Sequence, residues 1–132
     1  MRKLDVCLSP ELIHLYDISD RIVVVIDVFR ATSTMTVAFG YGAERIIPVS
    51  SLEECWKYKN EGYIVAAENM GMTIEGFEYG NSPFSFMNGK IKGKTIIMKT
   101  TNGTEALEIA KKAPVVLIAS FLNLETIVKF LR

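Results

Sequence analysis

The chain has 132 residues, 49% of them hydrophobic and 23% charged, with 15 basic residues against 15 acidic ones. That composition, with a mean hydropathy of +0.24, excludes a disordered or low-complexity polymer, which buries too little apolar surface to offset its ordering entropy. A net charge of zero leaves no basic excess to neutralise a nucleic-acid backbone, so no nucleic-acid partner is expected.

In chain order, Met1-Arg2-Lys3-Leu4-Asp5 comes first, and its acidic residue interrupts any signal-peptide core. Runs rich in Val and Ile predict strands over 4–8, 22–27, 45–49, 63–67, 95–99 and 115–120. They are mostly continuous rather than alternating, as parallel strands covered on both faces are. The longest run, Ile22 to Ile26, is far short of the roughly 20 residues that span a bilayer. A cytoplasmic protein with no membrane partner is expected. Amphipathic spacing predicts helices over 32–39, 52–61, 104–111 and 124–131, with a short turn or helix over 83–87. This alternation predicts an α/β fold with a mostly parallel or mixed sheet and helices on both faces. No linker or repeat divides the chain, so 1–132 is read as one domain.

Three residue types carry bland readings. Cys7 and Cys55 match neither a zinc pattern nor a redox pair, and both sit in apolar patterns. Buried free thiols in a reducing compartment are expected. Trp56 falls on the face of Leu52 and Cys55 and is expected in the core, behind an N-cap at Ser50 or Ser51. His14 is the single histidine. It is read as a surface residue, and one histidine builds neither a triad nor a multi-histidine metal site.

Three segments put small polar residues where a strand ends and a helix begins. The first runs from Asp27 through Arg30 to Thr32-Ser33-Thr34. A carboxylate at a strand's carboxyl end suits Mg²⁺, and an arginine three residues on suits phosphate or sulfonate oxygens. The alternative is a capping cluster with an Asp27–Arg30 ion pair. The second is Thr100-Thr101-Asn102-Gly103-Thr104, an anion site at a helix start or a plain capping turn. It lacks the GxxxxGK[ST] frame of a Walker loop. The third holds Glu68, Glu75 and Glu78 and ends in Asn81-Ser82-Pro83. An acidic, glycine-punctuated loop suits metal coordination; the alternative is a surface turn. Together the segments supply the inventory of a Mg²⁺-assisted site for an anionic ligand.

At these segments the sequence resembles a known family. Ile26 to Thr34, Gly76 to Pro83, Thr100 to Thr104 and Ser120-Phe121-Leu122-Asn123 stand in the order seen in 2-phosphosulfolactate phosphatases. The resemblance implies a three-layer α/β/α fold. It also implies a Mg²⁺-dependent phosphatase that converts 2-phosphosulfolactate to sulfolactate and phosphate in coenzyme M biosynthesis. Carried over, Asp27, Arg30 and Glu68 become catalytic residues, with Asp27 and Glu68 as metal carboxylates. Thr32, Ser33, Asn81, Ser82, Thr101, Asn102, Gly103 and Thr104 become substrate-binding residues. Either a metal-activated water or Asp27 itself attacks phosphorus. Two positions depart from the family pattern: Asn69 stands where a basic residue is usual, and Glu78 where an aspartate is. Family members are about twice as long, so the chain is expected to be the N-terminal half of a longer architecture. The apolar stripe of 124–131 reads as a helix cut near its end; the alternative is a short member that buries the stripe in a homodimer. The competing expectation is a non-catalytic small-anion-binding relative or an oligomerisation half.

Overall fold

The structure, a computed structural model, describes residues 3–132. Met1 and Arg2, which open the segment read as carrying no leader, lie outside the described residues. The order is β1 (Ile22–Ile26), α1 (Ala31–Gly40), β2 (Arg45–Pro48), α2 (Leu52–Asn60), β3 (Ile64–Asn69), β4 (Met72–Thr73), β5 (Thr95–Lys99), α3 (Gly103–Ala110), β6 (Val115–Ala119) and α4 (Leu124–Leu131). Short 3₁₀ turns occupy Pro10–Leu15, Pro83–Phe86, Gly89–Ile91 and Phe121–Asn123. This is the α/β alternation the hydrophobic runs predict, with ends within two residues of expectation.

The strands form two sheets rather than one. β2, β5, β3 and β4 make a four-stranded sheet in that order, and β1 pairs only with β6. β2–β5, β5–β3 and β1–β6 are parallel, whereas β3–β4 is antiparallel. β2 is an edge strand, so Pro48 at its end removes no donor that a neighbour needs. β3 and β4 are joined by Met70-Gly71, both at positive φ (49° and 83°), as a two-residue type I′ hairpin requires.

Alternation along β3 and β5 splits the core in two. Ile97, Val65 and Ala67 point to one face and pack with Cys55 of α2, Val49 and Phe77. Ile96, Met98 and Ala66 point to the other and pack with Met35 and Ala38 of α1 and with Phe86. The β1–β6 pair contacts α1 through β6 and is joined to this second cluster through Ile118. α2 starts as its sequence predicts: the Ser51 hydroxyl accepts from Glu54 N, and the Glu54 carboxylate accepts from Ser51 N. The Ser51 hydroxyl also donates to the Glu54 carboxylate at 3.0 Å, and this bond, with the one from Ser51 N, holds the carboxyl below its ordinary pKa.

Several expectations are corrected. Residues 4–8 form no strand among the described residues. Leu4 and Leu8 are nearly fully exposed, because no strand offers this segment a ladder. Its ties are a Tyr16 hydroxyl donating to Val6 O (3.1 Å) and the ion pairs of Asp5 with Lys3 and Arg21. Cys7 on that segment is half-buried rather than buried. Trp56 is 38% exposed. Cys55 takes the core position, and Trp56 instead covers the Gly76 turn, with its ring 4.5 Å from Phe77 and under the Lys59 ammonium. His14 is exposed as expected, its Nδ1 2.7 Å from Glu11 O. Among the described residues no helix is long and apolar enough to cross a membrane.

Burial raises the Cys55 thiol pKa and closes off its sulfur. In the native protein one thiol, Cys7, is expected to react with a thiol-specific reagent, and two in denaturant. Rapid native labelling of Cys55 in a mass-resolved experiment would contradict this packing.

Candidate active site

Three strand ends meet at one cavity of about 370 Å³. Asp27 follows β1, Glu68 lies near the end of β3, and Thr100 to Gly103 follow β5. Ligands of open α/β sheets bind at this carboxyl edge. Phe29, Arg30, Met70, Gly71 and Asn81 complete the lining.

Glu68 holds these pieces in register. It is 3% exposed. Its Oε2 accepts from Gly71 N at 2.7 Å, and its Oε1 accepts from Thr101 N. Thr101 Oγ1 in turn accepts from Met70 N at 3.1 Å. One carboxylate thus clamps the β3–β4 turn to the β5–α3 loop. Arg30 reaches the same turn, donating from Nη2 to Gly71 O at 2.8 Å. No Asp27–Arg30 ion pair forms among the described residues. A guanidinium has five N–H donors, so most of Arg30's remain for a ligand.

Asp27 and Asn81 present the free oxygens. Asp27 Oδ2 accepts from Ala31 N at 3.0 Å, and no partner among the described residues engages Oδ1. Asn81 is 7% exposed, and its Oδ1 is buried with no hydrogen-bond partner. Its backbone is fixed by Thr34 Oγ1, which donates to Asn81 O at 3.1 Å. A buried orphan acceptor is costly unless a ligand or ion satisfies it.

Two helices open on the cavity. Arg30 and Asn102 at their N-caps supply no side-chain cap, but Asp27 Oδ2 accepts from Ala31 N of α1 at 3.0 Å and Thr100 Oγ1 accepts from Thr104 N of α3 at 3.0 Å. The remaining N–H groups of each first turn and the positive dipole ends favour an anion. Gly103 permits the close approach: a Cβ there would lie 2.3 Å from the Ala31 Cβ and 3.0 Å from Thr100 Oγ1.

The family model for 2-phosphosulpholactate phosphatase matches residues 7–132. The chain belongs to this family. A relative from Clostridium perfringens, named probable 2-phosphosulfolactate phosphatase, is 39% identical over 135 residues, covering 98% of this chain and 55% of the relative. One of the same name from Thermotoga maritima is 44% identical over 112 residues, covering 85% and 49%. A third, from Clostridium botulinum, is 41% identical over 131 residues, covering 96% and 55%. The chain spans about half the length of the curated relatives it matches.

Of the site residues that the 2-phosphosulfolactate phosphatase resemblance implied, the cavity gathers Asp27, Arg30, Glu68, Asn81, Thr101, Asn102 and Gly103. Four others lie outside its lining. Thr32 is fully buried; its Oγ1 accepts from Asp27 N (2.8 Å) and lies within reach of the carbonyls of Asp27 and Ala119. Ser33 donates to Val28 O and Thr104 to Thr100 O. Ser82 begins the Pro83–Phe86 turn. The hydroxyls of Thr32, Ser33 and Thr104 hold strand ends to helix starts, which is the capping alternative. Nor do the acidic residues of the third segment converge. Glu75 and Glu78 are exposed, Glu78 paired with Lys90, and no group of three potential metal-binding His, Cys, Asp or Glu exists among the described residues. Phe29, Met70, Gly71 and Thr100 line the cavity without having been singled out. All four lie inside the three strand-end segments; Phe29, Met70 and Gly71 are apolar or glycine and carry no chemical signal in sequence, and Thr100 was named there only as the first residue of its loop.

Glu68→Gln turns an amide NH₂ toward one of two backbone donors. It is expected to lower stability by about 1–3 kcal/mol, read from the urea midpoint. Gly103→Ala is expected to lower the melting temperature through overpacking of about 1–3 kcal/mol. An unchanged midpoint in either variant would contradict the geometry described.

Proposed function

We propose that this chain supplies the phosphate-binding site of a Mg²⁺-dependent phosphatase that hydrolyses 2-phosphosulfolactate to sulfolactate and phosphate, a step of coenzyme M biosynthesis in the cytoplasm. One observation carries the reading: Arg30 and the starts of α1 and α3 converge on a cavity that also holds free oxygens of Asp27 and Asn81. The family membership and the names of the relatives support the same substrate class.

The donor set fits a hard cation. Mg²⁺ is ordinarily held by one or two carboxylates, with water and substrate phosphate completing its shell. Asp27 and Asn81 would hold it, with Glu68 behind them. When bound, it would offset charge on the phosphoryl oxygens.

The remaining roles fall to the chain itself. Arg30 is assigned to the phosphate or sulfonate through its free N–H groups, its stem steadied by the bond to Gly71 O. The N–H groups at Asn102 and Gly103 are assigned to the phosphoryl oxygens, where preorganised donors stabilise developing charge. Glu68 acts as a positioning residue, because both its oxygens already serve backbone donors. A neutral chain thereby builds positive potential at one point.

Asn69, standing where the family pattern has a basic residue, favours a second reading, in which this chain binds the anion without turning it over. Phosphate release from 2-phosphosulfolactate, measured with Mg²⁺ and again with EDTA, separates the two. The proposal expects EDTA-sensitive release, and a loss of about 10²–10⁴-fold in Asp27→Asn with unchanged circular dichroism. Saturable phosphate binding with no release would establish the binding module instead. Full activity in Asp27→Asn would remove Asp27 from the chemistry.

A further inference from the structure

Asn81 reaches the cavity at the end of a stretch of chain whose outer turn is held by α2. Residues 74–81 follow β4, turn at Gly76 and return beside β3 to the cavity. Ala67 holds both arms: its carbonyl accepts from Ile74 N at 3.0 Å, and its N–H donates to Tyr79 O at 2.9 Å. Between the arms the turn closes on itself, with Phe77 N donating to Ile74 O at 3.2 Å. From outside, Trp56 and Lys59 cover it. Gly76 has a φ of 89°, and a Cβ there would lie 2.5 Å from Trp56 Cη2. The Lys59 ammonium donates to Gly76 O and stands 4.8 Å from the centre of the Trp56 ring and 5.5 Å from that of Phe77. The base of this clasp is rigid, because Cys55 beside Trp56 is fully buried in the core. The neighbouring Glu78–Lys90 ion pair is exposed and adds little hold.

The placement of Asn81 depends on this backbone. No hydrogen bond among the described residues holds its Oδ1. Its position in the cavity is therefore set by the stretch that carries it. Tyr79 stacks on Phe86 at 5.1 Å, and Thr34 Oγ1 donates to Asn81 O. Those contacts fix the inner end, and the clasp on Gly76 fixes the outer one. We infer that Trp56 and Lys59 are positioning residues for Asn81: by clasping Gly76 they hold the 74–81 stretch in the form that sets Asn81 Oδ1 at the cation position of the cavity. The inference rests on the proposed assignment of Mg²⁺ to Asp27 and Asn81. Coupling of this kind is reciprocal, so a bound cation tightens the clasp by as much as the clasp favours the cation. Trp56 is the single tryptophan of the chain, so its emission reports the clasp directly.

Titration calorimetry on the intact chain tests this with two separate dissociation constants, one for Mg²⁺ and one for inorganic phosphate in EDTA. Phosphate is assigned to Arg30 and to the N–H groups at Asn102 and Gly103, which lie on other connections. Trp56→Ala is expected to raise the Mg²⁺ constant at least ~5-fold and to leave the phosphate constant unchanged. Trp56→Phe keeps a ring over Gly76 and is expected to restore most of the Mg²⁺ affinity. In the unmodified chain Mg²⁺ is expected to shift the Trp56 emission, and Asn81→Ala to abolish that shift. Lys59→Met removes the bond to Gly76 O and carries the same expectation as Trp56→Ala if the latter fails to fold. An unmoved Mg²⁺ constant in these variants would overturn the inference alone. Equal weakening of both ligands would do the same, since it marks general loosening of the fold. Phosphate binding without Mg²⁺ binding by the unmodified chain would overturn the cation assignment and this inference together.

Discussion

The clamp made by Glu68 is the constraint on which the site depends. A buried carboxylate is costly to desolvate, and the cost is met only if its lone pairs are satisfied. Here both oxygens take backbone donors, from Gly71 and Thr101, that lie on different connections. Because neither donor belongs to a regular ladder, the same bonds that satisfy the carboxylate fix two otherwise independent loops. The position of Arg30 follows, since its guanidinium rests on the carbonyl of Gly71.

The hydroxyl run of α1 plays the matching role on the other side. Thr32 joins the end of β1 to β6 through Asp27 and Ala119, and Thr34 fixes the backbone of Asn81. These are buried groups whose hydrogen-bonding capacity is met inside the protein. Their alignment leaves Asn81 Oδ1 and the second oxygen of Asp27 as the acceptors without internal partners. The scaffold is saturated and the site is not, which is what separates residues that hold a ligand from residues that hold the walls. The apolar β1–β6 ladder is unsaturated in a different sense. Among the described residues its outer edges pair with no further strand, and most of its apolar side chains are only partly covered.

Much of the fold was legible in the sequence because its signals are local. The Val and Ile runs, the Ser51–Glu54 capping box and the helix starts after Asp27 and Thr100 each arise from residues within a few positions of one another. The 4–8 segment failed because an apolar run states only that a strand is favourable, not that a partner exists. Trp56 failed because spacing places Cys55 and Trp56 on one helical face, and only packing decides which turns inward. Glu75 and Glu78 failed because proximity in sequence to Glu68 says nothing of which side of the hairpin they leave from.

The sequence by itself determined the α/β class, the family and the three strand-end segments from which the cavity is drawn, since periodicity, composition and ordered motifs are properties of the chain. Only the tertiary structure decided which members of those segments face the cavity and which face the protein. Thr32, Ser33 and Thr104 are as polar as Asn81 and Asn102, but their hydroxyls find carbonyl acceptors nearby. The division of the strands into a covered sheet and an open pair is likewise tertiary. Apolar strands of equal quality become buried or partly exposed according to which neighbours the fold brings to their edges.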